Sequence, residues 1–188
     1  MADREHGPVQ IETPRFWLRS IGSEHLNDRY LSWLNDPDVV QWLNARFRKN
    51  DYESLKSWID KHDNITSFHI GIFCKETSDH IGNFSIKLEP RHKLAMVNVL
   101  IGDKAYWGKS VVNECRHQLL NWLFSEDIAL KVWAMPFVRN VPAVHNYKKQ
   151  GFAIEGILKE HRRLDDGTPL DVVVFAMYKS LWQKLAVE

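Results

Sequence analysis

The stretch YWGKSVVNECRHQLLNWLF, Tyr106–Phe124, reads as a loop that runs into a helix. Apolar residues recur three and four positions apart from Val111 onward, which predicts an amphipathic helix from about Lys109 to Phe124. Before it, Leu94–Gly102 is almost continuously apolar and predicts a central strand, and Ala129–Met135 predicts another strand after it. Because a strand–helix–strand unit needs a crossover, we expect these two strands to be parallel.

The rest of the chain predicts helices near the beginning and a run of mostly antiparallel strands. The predicted helices are Ser23–Leu34, a short one starting at Pro37, Asp51–Lys61 and Val141–Lys149. The predicted strands are Val9–Ile21, Ser67–Cys74, His80–Leu88, Phe152–Glu160 and Asp171–Tyr178. We therefore expect one α/β domain over residues 1–188, with a mixed, mostly antiparallel sheet of six to seven strands flanked by helices.

Composition excludes several classes of function. The 188 residues include 25 basic and 24 acidic ones, so no basic excess points to a nucleic-acid partner. No run reaches the ~18 apolar residues of a membrane span, and the first ten residues lack the apolar segment of a secretory signal. Cys74 and Cys115 are too few and too far apart for a disulfide framework or a zinc knuckle. We expect a soluble, cytoplasmic protein with no membrane partner and no metal.

Two short motifs carry candidate chemistry. The loop before the predicted helix brings Gly108 and Lys109 to a helix N-terminus, where free backbone N–H groups bind anions, but one glycine alone is a weak signal. The second motif, NVPAVHNYKKQGF, places Asn140 at a helix start, with Ala143 and Tyr147 on one face. The alternative is a plain helix with an asparagine cap, a packed tyrosine and a terminal glycine.

In this order and spacing, the two motifs resemble the GNAT superfamily of acetyl-CoA-dependent N-acetyltransferases. The resemblance extends from TPRFWLRSI, residues 13–21, to NYKKQGFAIEGILKE, residues 146–160, and is strongest to the ribosomal-protein and spermidine acetyltransferase branch. It implies an acetyl-CoA site within about residues 94–152, two splayed parallel central strands, and Tyr147 as the acid that protonates the departing thiolate. The cofactor-binding residues that it implies are Val99, Leu100, Ile101, Trp107, Gly108, Lys109, Ser110, Val111, Val112, Asn113, Asn140 and Lys149.

The sequence also departs from the family pattern. The pyrophosphate loop of the family, Gln/Arg-x-x-Gly-x-Gly/Ala, falls on residues 107–112, where Trp107, Ser110 and Val112 replace the usual residues. Many relatives carry a glutamate base on the central strand, but here that place falls near Met96 and Asn98, which cannot accept a proton. The other candidate bases are His69, His80, Glu89, His92 and His145, but a base acting through water is equally open, as is an amine that is already partly neutral and needs little help.

In this fold the acceptor is expected between the first helices and the last hairpin. The candidate substrate-binding residues there are Trp33, Asn35, Arg46 and Arg162, although both segments could instead be solvated faces. Aromatic and arginine side chains suit a small-molecule amine that carries a ring and a phosphate, such as a nucleotide-linked amino sugar. An N-terminal protein acetyltransferase and a non-catalytic acyl-CoA-binding module remain alternatives. A homodimer through the strand Asp171–Tyr178 is also open.

Overall fold

The computed structural model describes residues 7–43, 50–164 and 166–185, and within them the chain forms one eight-stranded sheet with six helices. The strands are β1 (Gln10–Glu12), β2 (Phe16–Ser20), β3 (Ser67–Cys74), β4 (His80–Glu89), β5 (Leu94–Ile101), β6 (Lys131–Ala134), β7 (Ala153–Arg163) and β8 (Pro169–Tyr178). The helices are α1 (Asp28–Leu34), α2 (Pro37–Val40), α3 (Tyr52–Ile59), α4 (Val111–Ser125), α5 (Val141–Lys149) and α6 (Lys179–Leu185). Within these ranges no helix is long and apolar enough to cross a membrane.

The strands lie in the order β1-β2-β3-β4-β5-β6-β8-β7. All neighbours are antiparallel except β5 and β6, which confirms the predicted mixed α/β sheet. The sheet has one strand more than the predicted range because the segment predicted as a single strand, residues 9–21, folds back on itself. The turn between the two strands is closed by a hydrogen bond in which Thr13 N donates to Phe16 O at 2.9 Å. Pro14, within the turn, has no N–H and cannot donate a hydrogen bond to a neighbouring strand.

The two parallel strands separate soon after they meet. They pair at Leu94–Lys131, Ala95–Val132 and Met96–Trp133 and nowhere further along the described ladder. On its other side, β5 stays paired with β4 as far as Ile101. A gap therefore opens beside the second half of β5, which confirms the predicted splay.

Apolar side chains cover both faces of the sheet. The main hydrophobic cluster lies between the sheet and α4, α5 and α6, and includes Phe68, Phe84, Leu119 and Phe175. A second cluster packs α1, α2 and α3 against the opposite face around Tyr30 and other side chains. The gap thus lies between two packed layers, with α4 and α5 on one side and α1 to α3 on the other.

Side-chain caps set the helix starts on the α1–α3 side. The predicted helix from Ser23 is in fact a 3-10 turn followed by α1, whose cap is Asn27, because the Asn27 side chain accepts from Tyr30 N. Asp36 caps α2, with Pro37 in its first turn as predicted, and Asp51 caps α3. Helix α6 was not predicted.

The last strand does not offer the edge expected for a dimer. Strand β8 lies between β6 and β7, so its backbone is already paired on both sides. The outer strand is β7, on which Ile154 and Ile157 are about half exposed. The prediction of a dimer edge at Asp171–Tyr178 is therefore wrong, because two strands that follow one another in sequence exchange places in the sheet.

Candidate active site

The gap beside β5 presents unpaired main-chain groups. Lys93 O accepts from Leu130 N and Lys131 N on the β6 side, whereas Gly102 N donates to Ile81 O on the β4 side. Since main-chain groups alternate in direction along a strand, the odd-numbered groups of β5 point towards β6. The N–H and C=O of Val99 therefore face the gap, where β5 has no strand partner.

A ring of free amides lies beyond the end of β5. Gly108 and Ser110 have positive φ angles of 72° and 59°, on either side of Lys109, and α4 begins at Val111. Such an alternation turns successive N–H groups towards one point and forms an anion-binding concavity. Within the described residues, no protein acceptor is bound by the amides of the loop and the first helical turn: Gly108, Ser110, Val111, Val112 and Asn113.

Ser110 adopts a backbone conformation that glycine reaches more easily than serine. A left-handed conformation costs a side-chain-bearing residue roughly 1–2 kcal/mol, and Ser110 adopts it here. Val111, not Val112, is the residue that turns into the main cluster, with 2% exposure, while Val112 stays half-buried. At Gly108 a Cβ would meet nothing within 4 Å, so it is the positive φ that favours glycine there.

Three contacts hold this loop in place. The Trp107 indole Nε1 donates to Ile101 O at 2.8 Å, which ties the loop to the end of β5. Arg15 donates to Lys109 O at 2.9 Å and forms an ion pair of 2.7 Å with Glu114 in the first turn of α4. Burial alone would raise the pKa of Glu114, but hydrogen bonds from Thr13 and Arg15 reverse this and hold the pKa below its ordinary value.

Helix α5 brings Asn140 and Tyr147 to the other side of the gap. The Asn140 side chain caps the helix by accepting from Ala143 N at 3.2 Å, which leaves its amide nitrogen as a donor. Tyr147 is 5% exposed, and its ring lies 5.0 Å from both Phe152 and Phe175. No described residue forms a hydrogen bond with its hydroxyl. The ring is therefore fixed by packing, while the hydroxyl has no protein partner in the described part of the chain.

Comparison with known proteins decides what this arrangement belongs to. A family model described as an acetyltransferase (GNAT) domain matches residues 15–153. The chain belongs to the GNAT acetyltransferase family. It is accordingly an acyltransferase, with acetyl-CoA as its cosubstrate.

Individual relatives agree with this GNAT assignment. An uncharacterized N-acetyltransferase, p20 of Bacillus licheniformis, is 22% identical over 174 residues, which cover 90% of this chain and 96% of the relative. The structure of RimL, the ribosomal L7/L12 alpha-N-protein acetyltransferase, in complex with coenzyme A has a TM-score of 0.82 at 17% identity, over 92% of this chain and 99% of that one. That of the microcin C7 self-immunity acetyltransferase MccE with acetyl-CoA and AMP has a TM-score of 0.76 at 16% identity, over 88% and 93%.

A buried arginine of this acetyltransferase lies against Tyr147. The Arg116 guanidinium carbon is 4.0 Å from the centre of the Tyr147 ring, and the residue is only 2% exposed. Arg116 Nη1 donates to Gln150 Oε1 at 2.9 Å, whereas its Nε has no partner within the described residues. Burial lowers the pKa of Arg116, and the charge that Tyr147 can acquire opposes this. No carboxylate is paired with this cation among the described residues.

The other predicted cofactor-binding residues have mixed surroundings. Asn113 Nδ2 donates weakly to Asn146 at 3.4 Å, and Asn113 O accepts from Gln150, so Asn113 also joins α4 to α5. Leu100 packs against the second hydrophobic cluster. Lys149 is exposed at the end of α5. That Asn113, Leu100 and Lys149 contact the cofactor stays a prediction.

The predicted acceptor residues make structural contacts. Trp33 is 6% exposed and packs on Gly102, where an added Cβ would lie 2.0 Å from the indole. The Asn35 side chain donates to Leu31 O and Asn50 O. Arg162 is exposed on β7, and Arg46 lies outside the described residues. Substrate binding by these four residues also stays a prediction.

A cavity of about 310 Å³ does lie on the α1–α3 side of the sheet. Its lining, shared by α3, the segment after it and strands β3 to β5, is Trp58, His62, Thr66, Ser67, Ser85, Ile86, Lys87, Leu88, Met96 and Asn98. Met96 is the last residue of β5 that pairs with β6, so the cavity reaches the point at which the splay begins. Sequence reasoning did not single out His62, which has no motif around it.

Two of the candidate bases, the buried His69 and the partly buried His80, have lowered pKa values. His69 is 1% exposed, and burial, with nearby His62 and His80 adding to it, keeps its pKa well below 6.5. Its Nε2 is 2.8 Å from the Tyr30 hydroxyl, which also accepts from Asn83. Burial likewise lowers the pKa of His80 to about 4. Neither ring is therefore placed to receive a proton from a substrate.

The remaining candidates are exposed side chains. Glu89 and His92 are exposed at the end of β4 and the turn after it, where Glu89 pairs with Leu94 at the start of β5. His145 is exposed on α5. In the described part of the chain, no cluster of three or more histidine, cysteine or acidic side chains could hold a metal.

Proposed function

We propose that this GNAT protein transfers an acetyl group from acetyl-CoA directly to a primary amine of a small molecule bound on the α1–α3 side of the sheet. The observation that carries the proposal is the line of free main-chain groups that runs from Val99 in the gap to the amides of Gly108 and of residues 110–113. A pantetheine arm needs main-chain partners and a pyrophosphate needs converging amides, so both requirements fit this line.

Within this proposal, each part of the cosubstrate has a partner. The amides of Gly108 and Ser110, with those of the first turn of α4, would hold the pyrophosphate, and Lys109 would add a positive charge. The Val99 C=O would accept from an amide of the pantetheine arm. The free amide nitrogen of Asn140 would donate to the pantetheine end, and Lys149 would lie near the nucleotide.

Acetyl-CoA supplies an activated thioester, and the chain supplies orientation, a proton donor and charge stabilisation. The Val99 N–H faces the gap and would donate to the oxyanion that forms when the amine attacks. Tyr147 would give its hydroxyl proton to the departing sulfur. The buried Arg116 cation, 4.0 Å from the Tyr147 ring, would then stabilise the phenolate.

The cavity lining supports an uncharged or anionic acceptor. Lys87 is its one cation, and no carboxylate lines it within the described residues. A polyamine would need the opposite charge. Hydroxyl and amide groups of Ser85 and Asn98, beside the Trp58 ring, suit a hydroxylated ring such as that of a nucleotide-linked amino sugar.

Protein N-terminal acetylation is the second candidate. The similarity to RimL supports the fold and not the substrate, since the identity is 17%. The ribosomal-protein and spermidine branch is likewise a proposal. The remaining alternative, a non-catalytic acyl-CoA-binding module, is disfavoured by the family assignment and by the Tyr147 hydroxyl, which has no partner among the described residues.

Thiol release from acetyl-CoA tests these candidates against one another. The purified chain is assayed with amino-sugar nucleotides, polyamines and peptides with free N-termini, with free thiol measured by a chromogenic reagent. We expect turnover with an amino-sugar nucleotide. Turnover with peptides alone would establish the second candidate. If every amine fails while acetyl-CoA still raises the melting temperature, the chain is a binding module.

A further inference from the structure

We propose that His62 is the general base that takes the proton from the attacking amine. The proposal rests on the proposed function, because it places the amine in the 310 Å³ cavity that His62 lines. GNAT relatives that place a glutamate on the central strand have their base there, whereas this chain has Met96 and Asn98. A side-chain base in this chain would therefore come from another element of the cavity wall.

The hydrogen bond of His62 determines which ring nitrogen is available. Its Nδ1 is 3.0 Å from Ile59 O, and a carbonyl oxygen can only accept. Nδ1 therefore carries the proton, and in the neutral ring Nε2 keeps a lone pair. This is the same arrangement by which a carbonyl orients a catalytic imidazole: one nitrogen is anchored and the other is the base.

The rings around His62 hold it at the cavity wall. The Trp58 ring centre is 4.6 Å away in an edge-on contact, and that of His69 is 5.2 Å away. Tyr30 occupies Nε2 of His69 from the far side, so His69 is itself fixed. His62 is only partly buried, and of these rings only His62 and Trp58 line the cavity.

The position of the cavity relates His62 to the thioester. Ser85 and Asn98, on the cavity wall, are paired residues of β4 and β5 and share this face of the sheet. Asn98 immediately precedes Val99, whose N–H faces the gap. An amine among Ser85, Asn98 and His62 thus lies beside the strand on which the oxyanion would form, opposite α5 and Tyr147.

Two protein groups account for both proton transfers of the reaction. The amine nitrogen forms a bond to the thioester carbon, and the carbon–sulfur bond breaks. The nitrogen loses one proton to His62 Nε2, and the sulfur receives one from the Tyr147 hydroxyl. The products are an amide and free coenzyme A, and the proton on His62 returns to Tyr147 through solvent. No oxidant, metal or covalent enzyme intermediate is needed.

The groups around His62 determine what a pH profile would report. They are Lys87 on β4, which lines the same cavity, neutral His69 on β3, and Lys61 and Asp63 next to it in the chain. The Asp63 carboxylate is engaged by three backbone amides and the Thr66 hydroxyl, which together bring its pKa far below the ordinary value despite some burial. The charges that act on His62 are thus Lys61, Lys87 and the hydrogen-bonded Asp63 carboxylate.

The test compares His62→Gln with His92→Gln, in which an exposed histidine at the far end of β4 is changed. The amine is whichever class of the panel above gives the highest turnover with the unchanged chain. For His62→Gln we expect kcat/KM for the amine at pH 7 to fall about 100-fold or more. The acidic limb of its pH profile should disappear, with acetyl-CoA binding and melting temperature kept. His92→Gln should match the unchanged chain.

Two further measurements keep the proposal falsifiable if His62→Gln folds poorly. In His62→Ala, added imidazole should restore part of the rate. In the unchanged chain, long-range ¹H–¹⁵N spectra should show His62 protonated at Nδ1 and bare at Nε2. An Nε2-protonated ring, or an unaltered acidic limb in His62→Gln, would overturn the proposal. Turnover by the unchanged chain separates such a result from failure of the proposed function, in which no amine reacts at all.

Discussion

Single residues on α4 and α5 carry the acid half of the proposed chemistry. Tyr147 is fixed by aromatic rings on two sides, while its hydroxyl has no described protein partner. Arg116 places a buried positive charge against the same ring. Packing and electrostatics therefore both act on Tyr147, and different substitutions can test each effect alone.

Tyr147→Phe removes the proton donor and keeps the ring contacts. We expect kcat to fall about 100-fold, since loss of a positioned acid typically costs two orders of magnitude or more. KM for acetyl-CoA and the melting temperature should change little. Steady-state kinetics at the pH optimum measure this, with Tyr178→Phe on β8 as the control. An unchanged kcat would remove Tyr147 from the acid role.

Arg116→Met should separate catalysis from stability. A buried cation without a carboxylate partner is costly to desolvate, and an apolar side chain of similar length avoids that cost. We expect an unfolding free energy that is equal or higher, together with a lower kcat because the phenolate of Tyr147 loses its positive neighbour. Urea denaturation and steady-state kinetics measure the two effects. Arg116→Lys, which keeps the charge, should retain more activity, and a loss of stability of about 3 kcal/mol or more in Arg116→Met would instead make Arg116 a structural residue.

At the scale of elements, close contacts of β4 and β5 set the shape of the sheet. At Gly82 a Cβ would lie 2.3 Å from Leu100 O, so the two strands approach one another too closely for any side chain there. This holds β5 against β4 while β6 departs on its other side. The gap therefore depends on how β4 and β5 pack together, as well as on the residues that line it.

Gly82→Ala should destabilise the protein by about 1–3 kcal/mol, because the added methyl must push β5 away from β4. Gly156→Ala on β7 is the matched control, since its Cβ would meet nothing within 4 Å. Urea denaturation of both variants measures the difference. Equal stabilities would mean that β5 shifts without cost.

Glu114→Gln should weaken the attachment of the free-amide loop to the β1–β2 turn. Glu114 accepts from Thr13, Arg15 N and Arg15 Nε, and Arg15 in turn holds Lys109 O. We expect KM for acetyl-CoA to rise several-fold with kcat at saturation kept. Glu12→Gln, which breaks the surface ion pair with Lys75 away from the loop, is the control. If the two variants behave alike, the ion pair does not position the loop.

Sequence periodicity predicted most elements, and the misses have physical causes. The start of α1 moved from Ser23 to Asn27 because either residue can cap, and only the contact with Tyr30 N decides between them. The splay followed from the family resemblance. The proposed general base could not be predicted from the sequence. The His62–Ile59 hydrogen bond forms where α3 ends, and no residue spacing indicates how the His62 ring is oriented.

At the scale of the whole molecule, buried histidines link stability to pH. Burial lowers the pKa of His80 to about 4 and that of His69 well below 6.5. The unfolded chain then binds more protons than the folded one below pH 6.5, so stability is full above that pH and is lost as the pH falls.

The unfolding free energy should therefore fall between pH 7 and pH 5 by about 2 kcal/mol from His80 alone, since one pKa unit corresponds to about 1.4 kcal/mol. His69 acts in the same direction. Urea denaturation at the two pH values measures this. His80→Gln should lower the pH dependence, whatever it does to the stability at pH 7, and His92→Gln should leave it unchanged. An equal pH dependence in all three proteins would contradict the account.

The separation of β5 from β6 also has a mechanical consequence. The sheet consists of two hydrogen-bonded halves. One half contains β1 to β5, and the other contains β6, β8 and β7. The halves are joined by three residue pairs of β5 and β6, the last of which is Met96–Trp133. An extended ligand bound along Val99 would connect the two halves, because it would supply hydrogen bonds that β6 does not make to this part of β5. The β5–β6 junction is thus also a place where a bound molecule can add hydrogen bonds to the sheet, and filling it would stiffen both halves together.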